Sequence, residues 1–201
     1  MKPVAWLTAL FLLIAVPARA ETISFQVLRN GSQIGTHIMA FERDGDEVKV
    51  TVTINIVYKL AFITLYRFVH DGHELWRGER LVSMETTTND DGTKHHLSLH
   101  ADGEIYKVAV DGRNFDCAWI ALGSLWRVDY PAEGLMLDTV DGQLLKVRSR
   151  QLGEERIGTV TARHYEIRGD LVRDIWVDGD GALLRLKFPA EDGSQIEYRR
   201  L

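Results

Sequence analysis

The chain has 201 residues, of which 24 are basic and 29 acidic, giving a formal net charge of −5 with histidine neutral. An acidic balance with no basic cluster excludes the electrostatic footprint of a nucleic-acid binder, and the length is enough for one domain to bury a core without covalent staples. Cys117 is the only cysteine, so no disulfide can form within the chain, and a buried, inert thiol is expected there.

Residues 1–20 have the three-part layout of a secretory signal peptide: Lys2 as the positive end, an apolar run from Val4 to Val16, then Pro17-Ala18-Arg19-Ala20 with small residues spaced for the peptidase. The run is thirteen residues long, whereas a spanning helix needs about 20. Cleavage after Ala20 predicts a mature chain that starts at Glu21 and works in the bacterial periplasm or outside the cell. Without Lys2 and Arg19 the 24 basic residues become 22 against 29 acidic ones, a balance of −7. Glu21 is not a cysteine, so no lipid anchor is expected, and no second apolar stretch of spanning length follows. Residues 21–201 then form a single β-barrel-like domain that is not membrane-spanning.

From Glu21 onward the chain is punctuated by Asn30-Gly31, Asp44-Gly45, Asp71-Gly72, Asp91-Gly92, Asp102-Gly103, Asp111-Gly112, Asp141-Gly142, Asp178-Gly179, Asp180-Gly181 and Asp192-Gly193. Such pairs supply the positive φ angles of tight hairpin turns. Between them, segments such as Val48 to Tyr58 alternate apolar and polar residues, the pattern of strands with one buried face. About twelve segments are expected, giving an all-β fold: an antiparallel meander curled into a barrel or half-barrel.

Register follows from the turns. A two-residue turn at Asn30-Gly31 pairs Val27 with Ile34, Phe25 with Thr36 and Ile23 with Ile38, leaving His37 opposite Ser24 on the polar, exposed face. A second two-residue turn, at Asp44-Gly45, would set Met39 and Phe41 against Val50 and Val48, turning the other face of the same strand inward. The two registers conflict. A three-residue loop, Asp44-Gly45-Asp46, pairing Ala40 with Val50 and Ile38 with Val52, is the expected resolution. Further on, a turn at Asp71-Gly72 makes His70 and His73 cross-strand neighbours. A turn at Asp102-Gly103 sets Leu99 against Tyr106, Leu97 against Val108 and His95 against Val110, so that His95 joins the apolar side.

Residues 114–130 break the β pattern, with Ala118, Trp119, Ala121, Leu122, Leu125 and Trp126 at near-helical spacing. A short helical or irregular segment near 115–128, closing one end of the barrel, is expected, with Trp119 and Trp126 at the mouth of an interior cavity lined by Val50, Val52, Ile54, Leu97, Leu99, Tyr106 and Val108.

The seven histidines match no zinc spacing, so no metal and no cofactor is expected. The hairpin turning at Gly169-Asp170 places Glu166 opposite Arg173, with Tyr165, Ile167, Asp174, Trp176 and Asp178 on the other, largely apolar face. Asp174 and Asp178 flanking Trp176 could serve as acid and base of a hydrolase. A nucleophile triad and a phosphate loop are absent from the sequence.

Several segments together carry a family resemblance: Val27 to Gly31 with Ile34 to His37, Tyr66-Arg67-Phe68 with Glu74-Leu75-Trp76, Thr88 to Gly92, Ser124-Leu125-Trp126, Leu137-Asp138-Thr139, Gly169-Asp170-Leu171 with Asp174 to Asp178, and Asp192-Gly193-Ser194. The chain resembles a domain-of-unknown-function family of small exported bacterial proteins over nearly its whole mature length. The resemblance implies export and a β-rich fold and transfers no activity. This sequence departs from it at Trp176-Val177-Asp178, where Trp-Tyr-Asp is expected, and at Trp126-Arg127, where Trp-Asn is expected. In general shape the chain is also similar to periplasmic lipoprotein carriers with an open β-barrel.

The function expected on this basis is an exported binding or carrier domain for a lipid or other apolar small molecule, with His95, Tyr106, Trp119, Trp126, Tyr165, Asp174 and Trp176 as candidate ligand contacts. The alternatives are a hydrolase using Asp174 and Asp178 or a histidine, and a module that offers a sheet edge to an envelope protein.

Overall fold

Asn30, Gly31, Gly45, Asp91, Gly92, Gly103, Asp111 and Gly112 all have positive φ, and each sits where the chain reverses between two strands. In the computed structural model, which describes residues 19–118, 121–126 and 132–201, such turns join fifteen strands into a single sheet. Eight run as an antiparallel meander: β1 (Arg19–Arg29), β2 (Ser32–Asp44), β3 (Glu47–Leu60), β4 (Ile63–Arg77), β5 (Arg80–Asp90), β6 (Thr93–Asp102), β7 (Ile105–Val110) and β8 (Arg113–Ala118). β9 (Ala121–Leu122) then starts a second run beside β10 (Glu133–Leu137), the one parallel pair among the described strands. The run continues through β11 (Leu144–Ile157), β12 (Val160–Gly169), β13 (Arg173–Val177), β14 (Leu183–Pro189) and β15 (Gln195–Arg200). β15 pairs with β1, so both ends of the domain meet mid-sheet, and the outer strands are β8 and β9.

The sheet is curled but not closed. Thr86 of β5 donates to the carbonyl of Thr139 at 2.7 Å, tying the β10–β11 loop to the first run, and a Cβ on Gly142 would press into Val110 and Leu97. One core cluster therefore joins side chains from both runs, among them Phe25, Met39, Leu97, Leu99, Leu137, Ile167, Ile175 and Leu186. Each large apolar side chain fully buried there contributes about 1.5–3 kcal/mol. Among the described residues every buried core side chain lies between Ile23 and Tyr198, so a chain that begins at Glu21 keeps all of these. Among the described residues no helix is long and apolar enough to cross a membrane.

The register conflict is real, and the chain resolves it differently from the expectation. The β2–β3 turn has two residues, Gly45 and Asp46, with Met39 opposite Val52 and Phe41 opposite Val50. The correction is made in β2 itself. Val27 pairs with Gly35 and Leu28 with Gln33, so Ile34 is bulged out and the odd-numbered residues Phe41, Met39 and His37 all turn inward. Gly35 beside the bulge has no room for a side chain, because a Cβ there would run into the carbonyl of Asn55.

Three other expectations change. Asp71-Gly72 is not a turn: β4 runs straight through it, so His70 is buried while His73 lies on the opposite, exposed face beside Thr51. The β6–β7 turn is Gly103-Glu104, which moves every pair by two residues, setting Leu97 against Val110 and Leu99 against Val108, and leaves the same face inward. Between β12 and β13 the pairing is Ile167 with Arg173 and Glu166 with Asp174, one residue from the expected register. Asp174 and Trp176 therefore share the outer face with Glu166 and His164, while Ile167, Ile175 and Val177 turn inward. Of residues 115–128, 115–118 are strand in β8, 121–122 are strand in β9, and 123–126 are irregular.

Candidate functional site

The inward-facing residues of β4 run Phe68, His70, Gly72, Glu74, and the interior is not uniformly apolar along this line. A cavity of about 130 Å³ opens between the two runs of the sheet, with walls that include His37, His70, Gly72, Thr86, Asp138, Arg173 and Tyr198 alongside Val52, Ile54, Phe68, Met136, Val140, Leu171 and Leu186. Gly72 helps to form it: the missing side chain leaves space toward the His70 ring and the Thr86 methyl, each 3.4 Å from where a Cβ would stand.

His37 is the chemically exceptional wall residue. It is 2% exposed, packed between Phe25 (5.9 Å between ring centroids) and Tyr198 (5.7 Å, edge-on), and neither ring nitrogen has a hydrogen-bond partner. Buried polar groups are normally satisfied, and an unmet imidazole inside a protein costs free energy. Burial, with a smaller contribution from His70, lowers its pKa to about 3, so the ring is neutral at neutral pH and carries one N–H donor and one acceptor. His70 shares a hydrogen bond with Thr88 Oγ1 through Nδ1 at 2.8 Å and stacks on Phe68; burial lowers its pKa to about 4. Asp138 is pushed upward from the ordinary carboxylate value, chiefly by burial, while the amide of Val140 and the nearby Arg173 counter this.

One flank of the cavity is locked by a buried carboxylate. Glu74 Oε2 accepts from the indole N–H of Trp76 and of Trp126, and Oε1 accepts from the Ser124 hydroxyl, each at 2.7 Å. Trp126 packs edge-on against Trp76 and Phe41. The irregular segment 123–126 is thereby pinned to β4 across the interior, and Gly123, Ser124 and Leu125 become part of the cavity wall.

A family described as a domain of unknown function, DUF6134, matches residues 25–201. The chain belongs to this family. Among solved structures it is similar to a β-barrel-like protein of another domain of unknown function, DUF1849, from Brucella abortus, with a TM-score of 0.55 and 7% identity over 92% of this chain and 95% of that one. At that identity the likeness shows the fold alone: this DUF6134 domain is β-barrel-like. No curated protein matches the chain.

The structure does not gather the residues expected to contact a ligand, and none of the six that are described lines the cavity. His95 faces the apolar side but lies at its rim, bonded to Asp111 at 2.6 Å over an open surface concavity. Tyr106 is core, Trp126 belongs to the Glu74 lock, and Tyr165 donates to Gln151. Asp174 is held on the outer face by Arg168 and His164, and Trp176 stacks on His164 at 4.2 Å. Asp178 accepts the backbone amides of Asp180 and Ala182 as a turn residue, so the two aspartates have separate structural partners. Trp119 lies outside the described residues. Burial and Asp116 raise the pKa of the half-buried Cys117. Of the residues that do form the site, the sequence reads His37 as exposed on a polar strand face and His70 as flanking an apparent turn. A straight β4 and a bulge at Ile34 bring them to one wall.

Proposed function

We propose that this domain is an exported binding protein of the bacterial cell envelope whose interior holds a small, neutral, amphipathic molecule. The observation that carries the proposal is His37, nearly fully buried at a cavity wall with both ring nitrogens unmet. A hydroxyl or carbonyl supplied by a ligand would satisfy the imidazole, and the aliphatic wall opposite would take an apolar body. Both imidazoles are neutral, so at His37 and His70 an uncharged head group is favoured over an anion.

The volume sets the size. At about 130 Å³ the cavity is comparable to engineered cavities of about 150 Å³ that admit benzene, and it is well below the roughly 300 Å³ where drug-sized ligand pockets begin. This narrows the carrier reading from a long acyl chain to a molecule of phenol's dimensions.

The test is a thermal-shift series with phenol and benzyl alcohol against palmitate. Only ligands that bind the folded state raise the melting temperature. The aromatic alcohols should raise it and palmitate should not. His37→Phe keeps the ring packing and removes both nitrogens, and should weaken phenol binding roughly fivefold to tenfold. No shift with either alcohol overturns the proposal.

A further inference from the structure

Of the two-residue turns that join antiparallel strands among the described residues, the one between β3 and β4 alone lacks glycine. Its residues are Ala61 and Phe62, and Ala61 is held at a φ of +53°, a conformation glycine adopts with less strain. Elsewhere the chain meets this need with Asn-Gly or another glycine; here it retains apolar side chains instead. Phe62 is fully exposed, Leu60 is 62%, Ile63 68% and Leu65 48% exposed. Scattered exposed apolar residues are ordinary, but a contiguous apolar tip is not.

The tip stands clear of the sheet. β2 leaves β3 at Gly35 opposite Ile56, and β5 leaves β4 at Asp90 opposite Phe68, while β3 and β4 stay paired out to Leu60 opposite Ile63. The layers along this ribbon are ordered. Leu60, Phe62 and Ile63 are outermost; Lys59 and Thr64 follow; the bulged Leu65 leads to the paired Tyr58 and Tyr66, with Arg67 behind them. From the tyrosines to the outermost pair is two residues, about 7 Å at the rise of a strand, which is the depth at which interfacial segments sit in a bilayer. Tyrosine at the boundary and cations beside it are the arrangement that a headgroup region favours.

We infer that the β3–β4 tip inserts into the surface of a bilayer containing anionic lipid. Charge complementarity selects this occupant. No acidic residue lies between Glu47 and Asp71, and on the protruding ribbon from Val57 to Arg67 the charged residues are Lys59 and Arg67. The nearest acids are no farther out than the tyrosines: Asp90 accepts from the Tyr66 hydroxyl, Asp91 accepts from the Arg67 amide, and Asp192 is paired with Arg29, whose guanidinium lies over Tyr58. Geometry also selects it. Phe62 and Ile63 are consecutive and both exposed, so the tip is apolar on both faces of the ribbon; a fluid bilayer takes both faces, whereas a protein groove reads one.

The test is flotation of the chain beginning at Glu21 with vesicles of phosphatidylethanolamine and phosphatidylglycerol, and separately with phosphatidylcholine. The protein should float with the first and more weakly with the second, and added salt should reduce the difference. Replacing Phe62 and Ile63 together by serine should weaken flotation at least tenfold while leaving the melting temperature unchanged, because these side chains pack on no core residue. Wild-type protein that floats with neither vesicle overturns the inference and assigns the tip to a protein groove. Equal flotation of the double variant also overturns it.

Discussion

His37 lies directly across from Phe25 in the β1–β2 pair, and that pairing exists because Ile34 is bulged out between Gln33 and Gly35. The bulge carries the odd-numbered residues of β2 inward, and with them the histidine that defines the cavity. It depends on the close backbone approach at Gly35. Gly35→Ala should therefore cost about 1–3 kcal/mol, since the added Cβ must displace the Asn55 carbonyl. Urea denaturation measures the loss, and unchanged stability would show that the bulge tolerates a side chain.

The two interior imidazoles should make the domain acid-sensitive in a defined direction. Both folded pKa values, about 3 for His37 and about 4 for His70, lie below the ordinary histidine value. Below about pH 6.5 the unfolded chain takes up protons that the folded one refuses, so stability is fully present above that pH and falls as pH drops toward 3. His37→Phe should flatten the slope of stability against pH by about 1.4 kcal/mol per unit between roughly pH 6 and 4. Denaturant melts of both proteins across that range, compared as a difference, separate this contribution from the carboxylates. Parallel slopes would contradict the burial of His37 as an unprotonated ring.

The lock at Glu74 should be worth more than a surface interaction. Glu74→Ala removes the acceptor shared by two indoles and a hydroxyl inside the protein, and should destabilise by about 2–4 kcal/mol. The near-ultraviolet circular dichroism of Trp76 and Trp126 should weaken with it, since both rings lose their anchor. A variant with intact signals and stability would mean that segment 123–126 is held by packing alone.

Gly72 offers the complementary change. Its φ is ordinary and a Cβ would meet His70 and Thr86 at contact distance, so Gly72→Ala should raise stability by about 0.4–1 kcal/mol. Gly72→Val, which projects farther into the cavity, should abolish the thermal shift by phenol. If the Gly72→Val protein still responds to phenol, the ligand sits elsewhere.

The fold class was legible because alternating strands such as Val48 to Tyr58 and glycine turns are local signals, and nine of the ten Asn-Gly and Asp-Gly pairs do lie at reversals. The site was not, because it depends on register, which a single residue inverts. Reading the β1–β2 hairpin without a bulge put His37 on the surface. Taking Asp71-Gly72 as a turn put His70 beside His73, when it is a notch in a continuous strand. A one-residue error at β12–β13 put Asp174 and Trp176 on the apolar face. The conflict between the first two turns was itself the available signal. A three-residue loop and a bulge both relieve it, and only the bulge buries His37. Glu74 and Ser124 gave no local sign of meeting, being fifty positions apart with no shared pattern.

The central claim is that the unmet nitrogens of His37 receive a ligand, and the most direct measurement is a long-range proton–nitrogen correlation spectrum of the histidine rings, with and without phenol. Before addition, His37 should show a neutral ring at neutral pH, and phenol should shift its nitrogen resonances strongly and those of His70 less. The exposed His73 and His96 should stay where they are. A spectrum in which phenol leaves the His37 nitrogens unmoved, or in which that ring is already protonated at neutral pH, would contradict the account.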